Sequence, residues 1–365
     1  MEQYGRAIFV DDDSSVLRSL RRGLRMHYKH WEMEFEQSPE VALSRLKNFD
    51  AWVVISDKKM RELDGADFLD QVAEQTPQAI RVLLTGDISD ETAVASAKSA
   101  HLLLPKPFEL DDLIDVLERS VYLRTLPISA SLRQTLGGLQ SLPVLPKAYQ
   151  DLSAYLKTTQ MPENKKVAEI VTQDIGILSK VLQLANSSFF GATTPVNNVE
   201  MAIVRLGHDL IKQIVLCAGL FSQPVTLSDD LEETGEEILQ QSEEIAGVMK
   251  ELAICAGLSR KAVDNIYVLG LLHQIGWLVD GVKQEGDKCA TGAYLLQLWG
   301  FDNAFCEAVL YQNDPQKQPE LTILTNLLFL GRQVVLAQKE GVPFFEQSEM
   351  RDLIDKANVG AYFRE

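Results

Sequence analysis

A chain of 365 residues, 46% hydrophobic and 24% charged, is long enough for two domains with separate cores and has the composition of a globular protein. Its formal charge of -17 argues against a nucleic-acid-binding surface, and no stretch reaches the roughly 18 uninterrupted apolar residues of a membrane helix. The start, MEQYGRAIFVDDD, lacks the basic-then-apolar order of a signal peptide, so a cytoplasmic protein without a membrane partner is expected.

The first third alternates short β-type runs with helical patterns. AIFV (7–10) is an apolar run, and Asp13 or Ser14 caps a helix through about Met26. That helix carries Arg18, Arg21, Arg22 and Arg25, which read as a solvated face. WEMEF (31–35) alternates, and Ser38 caps a helix through Leu46. AWVVI (51–55) has the β-branched content of a buried strand. A turn with Asp64 and Gly65 opens a helix through Ala73, and RVLL (81–84) is a fourth strand. Asp90 caps another helix, HLLL (101–104) is a fifth strand, and a last helix starts at Glu109. Such alternation implies a five-stranded parallel doubly wound α/β sheet, whose ligands bind outside the carboxyl ends of the strands.

After about Tyr122 the strand-like runs vanish. Leu126-Pro127, Gly137-Gly138, Leu142-Pro143 and Leu145-Pro146 punctuate a connector, and from Lys147 onward the apolar spacing is helical. The acidic stretch Ser228–Glu244 reads as a solvated loop and helix start. Cys217, Cys255, Cys289 and Cys306 stand far apart in apolar stretches, so buried free thiols are expected rather than zinc or redox chemistry.

Chemistry-bearing residues recur where the apolar strands end: Asp11 and Asp12 after AIFV, Asp57 after AWVVIS, Thr85 after RVLL, Lys106 after HLLLP. A parallel sheet brings these ends to one edge. Carboxylates there suit a hard divalent cation such as magnesium, which lets one carboxylate act as a nucleophile toward a phosphoryl group. A hydroxyl and an ammonium would hold the other phosphoryl oxygens. Singly, Asp13 is a helix cap and Lys106 a surface lysine; the ordered set carries the signal.

The stretches AIFVDDDSSVLRSL, VVISDKKMRELDGADFL, RVLLTGD and LLLPKPFEL resemble the receiver domain of bacterial response regulators, from residue 5 to about 122. The resemblance implies a flavodoxin/CheY-like fold with Asp57 as phospho-acceptor. Magnesium would be bound by Asp12 and Asp57, by Asp11 mostly through water, and by the backbone carbonyl of Lys59. Thr85 and Lys106 would contact the phosphoryl group, and Lys106-Pro107 would be cis. Lys59 and Asp87 would flank the path of hydrolytic water, where their opposite charges either pair across it or both point to solvent. Two positions depart from the family pattern: Arg61 stands where a proline is usual, and Leu103 replaces the aromatic switch residue, which puts the usual Thr-to-aromatic coupling in doubt.

In the helical half, LLHQIG (271–276) is similar to the His-Asp core of HD-type phosphohydrolases, but Gln274 follows His273 where the Asp would be. Gln241, Lys288, Ala290, Gln312 and Asn313 stand where such enzymes place metal ligands, and no Asp occurs from Glu320 to Met350. His273 is therefore expected as a core histidine rather than a ligand. The segments SLPVLPKAYQDL, VAEIVTQDIGILSKVLQLANSSFFG, VEMAIVRLGHDLIKQIVL, GLLHQIG and GAYLLQLWGF resemble the HDOD domain, an HD-related output domain. This implies an all-helical signalling module without established catalysis. Phe189 and Phe190 are expected in its core.

The expected layout is a receiver at 1–122, a linker at 123–133 and an all-α HDOD domain at 134–365. The expected function is a two-component response regulator: a sensor histidine kinase or phosphotransfer protein phosphorylates Asp57, and a non-catalytic output binds a downstream signalling protein. A homodimer is compatible with the sequence. The alternative is a divergent metal-dependent HD phosphohydrolase acting on a cyclic dinucleotide under receiver control.

Overall fold

The computed structural model describes residues 5–86, 99–138, 151–152, 155–156, 159, 162–186, 196–208, 211, 229–279, 282 and 284–340. The expected cap at Asp90, the partner Asp87, Cys217 and the Phe189-Phe190 pair lie outside them. The chain divides into two compact units, one carrying Met1–Gln140, the other Ser141–Ala185, Pro195–Gln297 and Phe301–Glu365.

The first unit is built on five parallel strands: β1 (Arg6–Val10), β2 (Glu32–Glu36), β3 (Val53–Asp57), β4 (Ile80–Thr85) and β5 (Leu102–Pro105), in the order β2-β1-β3-β4-β5. β3 and β4 are buried at every position, as continuous apolar runs covered on both faces require. Described helices are α1 (Ser14–His27), α2 (Pro39–Leu46), α3 (Gly65–Gln75), α4 (Leu110–Thr125) and α5 (Ala130–Gly138). Asp13 caps α1 by accepting from the Ser15 amide, and Asp64 caps α3 by accepting from the Ala66 amide. Glu109 and Asp112 form a capping box at the start of α4. Ser38 precedes α2, but its hydroxyl donates to Glu62 at 2.7 Å instead of capping.

Two differences from the sequence reading concern boundaries. β3 begins two residues later than expected, since its pairing with β4 runs from Val53 to Asp57, and Asp57 therefore closes the strand instead of following it. The described part of the connector is largely helical: α4 extends to Thr125, and α5 covers Gly137 and Gly138. Gly137 is required there by close approach, because a Cβ would overlap the Pro77 carbonyl oxygen.

The second unit is helical throughout its described elements: α6 (Asn164–Thr172), α7 (Ile175–Ala185), helical residues 199–208, α8 (Asp229–Cys255), α9 (Arg260–Leu272), α10 (Glu285–Leu298), α11 (Asn303–Leu310) and α12 (Ile323–Lys339). The acidic stretch read as loop and helix start is part of α8 from Asp229 onward. Helices α8, α9 and α12 pack together around Leu252, Leu269 and Val335, all buried. Cys255, Cys289 and Cys306 form no disulfide among the described residues; the last two are buried and Cys255 is half-buried.

Candidate functional site

The register of the sheet brings the expected residues to one edge. Val10 pairs with Ser56, Asp57 with Leu84 and Thr85 with Pro105, so the residues at the carboxyl ends of β1, β3, β4 and β5 share a rim. Carboxylate oxygens of Asp11, Asp12 and Asp57 lie within 4.8 Å of one another. The Lys106 ammonium reaches in from the neighbouring loop, 2.7 Å from Asp57 Oδ1 and 3.1 Å from Asp11 Oδ2. Thr85 is buried, and its carbonyl accepts from the Lys106 amide at 2.7 Å, tying the ammonium-bearing loop to β4. The Lys106-Pro107 peptide is cis.

The backbone holds this arrangement tightly. The Gly65 amide donates to the Lys58 carbonyl at 2.8 Å. A Cβ on Gly65 would overlap the Asp57 carbonyl oxygen, so α3 starts against the site only because that residue is glycine. Lys59 is exposed on the intervening loop. Leu103 is buried in β5, packed in the core shared with Leu83 and Val54.

Electrostatics favour a cation. Burial raises the Asp11 carboxyl above its ordinary range, opposed by the Asp13 amide and by Lys106. For Lys106, burial acts to lower the ammonium, but Asp57 and then Asp11 outweigh it and hold it above the ordinary lysine value. A divalent ion would share these carboxylates with Lys106, and three carboxylates are the oxygen donor set that suits magnesium. Arg61, noted in the sequence only as a departure, lies with Nε 3.4 Å from Asp12 Oδ2 while its side chain is 90% exposed. That pairing is a tertiary contact with no local sequence signal.

In the second unit three of the HD-like positions, Gln241, Gln274 and Gln312, come together with His273 in a hydrogen-bonded polar cluster, whereas Asn313 donates to Cys289 and Lys288 lies over the Trp277 ring. His273 is fully buried; its Nδ1–H donates to the Gly270 carbonyl at 2.6 Å, and Nε2 has no hydrogen-bond partner among the described residues. Gln274 donates to Gln241 at 2.9 Å and accepts from the Ser242 hydroxyl at 3.0 Å. Gln312 donates to the His273 carbonyl at 3.1 Å and accepts from Arg332. Burial, then the Arg332 charge, pushes the His273 imidazole down to about 3. Arg332 was missed in the sequence, where it is one cation inside an apolar helix. Its guanidinium donates to Gln312 and its charge acts on His273, so it would repel a metal cation brought to that imidazole.

Comparison with known families agrees with both halves. The family described as response regulator receiver domain matches residues 7–118, and the HDOD domain family matches residues 142–284. The chain is a receiver domain fused to an HDOD domain. The carboxylate rim lies within the receiver match, and Gln241, Ser242, His273 and Gln274 lie within the HDOD match, while Gln312 and Arg332 follow it.

Among curated proteins, the chain is 32% identical over 120 residues to the DNA-binding transcriptional regulator NtrC of Proteus hauseri, covering 33% of this chain and 25% of that protein. It is 34% identical over 121 residues to NtrC of Escherichia coli strain K12, again covering 33% and 25%. The chain therefore spans only a quarter of these relatives' length. Among solved structures, an uncharacterized protein from Neptuniibacter caesariensis is 29% identical with a TM-score of 0.32, covering 35% of this chain and 99% of that one. No helix among the described residues is long and apolar enough to cross a membrane.

Proposed function

We propose that the protein is a response regulator in which phosphorylation of Asp57 controls a non-catalytic HDOD domain acting through protein–protein contact. The observation that carries it is the Asp11, Asp12 and Asp57 cluster with the Lys106 ammonium 2.7 Å from Asp57. An Asp57 oxygen attacks the phosphorus of a phosphohistidine on a sensor kinase or phosphotransfer protein. The phosphorus–nitrogen bond breaks, and the imidazole leaves with its electron pair. Magnesium, held by Asp11, Asp12, Asp57 and the Lys59 carbonyl, would supply neutralising charge to the incoming phosphoryl group. Lys106 and Thr85 take the remaining phosphoryl oxygens.

The HDOD assignment as a binding module rests on what fills the HD-like positions. Gln241, Ser242, Gln274 and Gln312 are neutral, and Arg332 is bonded to Gln312. Amides and a guanidinium do not make a metal-activated water. The downstream partner is thus a signalling protein rather than a cyclic dinucleotide substrate.

The test is phosphorylation of the full chain by a small phosphodonor with magnesium. Mass spectrometry should find one phosphoryl group on Asp57 and none in Asp57→Asn; undiminished labelling of that variant would overturn the assignment. Pull-downs comparing beryllofluoride-loaded protein with Asp57→Ala should then recover different partners.

A further inference from the structure

The cations of α1 were read as a solvated face, yet the structure gives part of them a defined setting. The acids of edge strand β2 are committed elsewhere. Glu32, Glu34 and Glu36 alternate onto one face of the strand. Arg6 pairs with Glu32 at 3.0 Å, and Arg45 pairs with Glu34 at 3.6 Å and with Glu36. Met33 and Phe35 project to the opposite face, where they line a groove of about 600 Å³ with Arg21, Arg25, Met26 and Lys29. The Arg21 guanidinium lies 5.1 Å from the centre of the Phe35 ring. The Arg25 and Lys29 side chains have no ion pair or hydrogen bond among the described residues.

The shape of this charge limits what fits. Arg21 and Arg25 are one helical turn apart on one face, and Lys29 extends the row just past the cap residue Tyr28. A row suits carboxylates spaced along a chain, whereas a single phosphate needs donors converging on one point. Beside the row runs an apolar strip: Met26 is 75% exposed, Met33 and Phe35 are half-buried, and Trp31 closes the groove wall. Glu118 and Asp115 face the Tyr28 hydroxyl, so negative charge is favoured toward Arg21 and Arg25 instead. Nucleic acid needs more phosphate contacts than three cations give, and the -17 charge of the chain repels an extended polyanion.

We propose that the groove between α1 and β2 docks an acidic, amphipathic segment of a partner protein. Carboxylates of the segment sit on Arg21, Arg25 and Lys29, and one apolar side chain enters among Met26, Met33 and Phe35. The site is separate from the carboxylate rim and does not depend on the Asp57 assignment.

The test uses the full chain and a fluorescein-labelled helical peptide with Glu one turn apart and a Leu anchor beside them. A peptide with Lys in place of Glu and a single-stranded oligonucleotide serve as comparisons. Fluorescence anisotropy should show saturable, salt-sensitive binding of the Glu peptide alone. Arg21→Glu with Arg25→Glu should weaken it at least about tenfold, while Arg18→Glu with Arg22→Glu, the same charge change off the groove, should change it less than about twofold. Met26→Ala should weaken it several-fold. No saturable binding, equal loss in the two charge-reversed variants, or tighter binding of the oligonucleotide would each overturn the proposal.

Discussion

Asp12 would have two cations to choose between: a divalent ion bound at the rim, and the Arg61 guanidinium 3.4 Å away. The second competes with the first. Because Arg61 is 90% exposed, the pair contributes only about 0–1 kcal/mol. Arg61→Ala should therefore tighten magnesium binding by no more than about fivefold, since about 1.4 kcal/mol corresponds to tenfold. Titration calorimetry of the full chain in low salt measures this, and weaker binding in the variant would contradict it. That the acid pair, Asp57, Thr85 and Lys106 would share one rim was legible in the sequence, because parallel strands place their carboxyl ends together whatever the side chains between them. The Arg61 contact was not, because a flexible exposed side chain finds its partner only in three dimensions.

At the level of elements, β4 shows what a strand-like run conceals. RVLL reads as an ordinary buried strand, yet Arg81 is the largest fully buried side chain among the described residues. It donates to the Ser99 carbonyl at 2.8 Å, to Pro77 at 3.3 Å and to Gly137 on α5 at 3.1 Å. His101 also reaches the Gly137 carbonyl, at 3.1 Å. The partner is 56 positions away in the chain, beyond any local pattern, which is why the connector was read as irregular. Arg81→Ala leaves buried carbonyls unpaired and should cost about 2–4 kcal/mol. Hydrogen exchange should speed up in β4 and α5 together; unchanged exchange in α5 would show that the bond to Gly137 does not hold the helix. Helix α9 carries a second test through His273, which follows it. Its imidazole is held down at about 3, against an ordinary 6.5, chiefly by burial. A depressed base stabilises fully above 6.5 and loses that contribution as pH falls from there toward 3. The slope is about 1.4 kcal/mol per pH unit, so about 2 kcal/mol should be lost by about pH 5. Urea unfolding followed through Trp277 and Trp299 should show this, and His273→Gln should flatten the dependence.

Across the whole molecule, the two domains offer metals opposite environments, and a single titration can compare them. The receiver has three carboxylates within 4.8 Å, a set of hard oxygen donors suited to magnesium. The second unit offers His273, whose Nε2 has no hydrogen-bond partner among the described residues, but its neighbours in the cluster are Gln274, Gln241 and Gln312, and Arg332 is bonded to the last of these. Replacing Asp by Gln at 274 removes the charge that would offset desolvation of a divalent ion. Arg332 already supplies the positive charge that such a pocket can hold. These substitutions were legible in the sequence as missing ligands; the compensating network was not, since Arg332 lies 59 positions beyond His273 on another helix. The full chain should therefore bind one magnesium ion, with that binding strongly reduced by Asp57→Asn and untouched by His273→Ala. After dialysis against manganese or zinc and removal of free metal, elemental analysis should find less than one tightly held ion per chain. A stoichiometric transition metal that persists in Asp57→Asn and disappears in His273→Ala would place the ion in the HDOD domain. That result, joined to phosphodiester hydrolysis lost in the same variant, would replace the binding module with an enzyme.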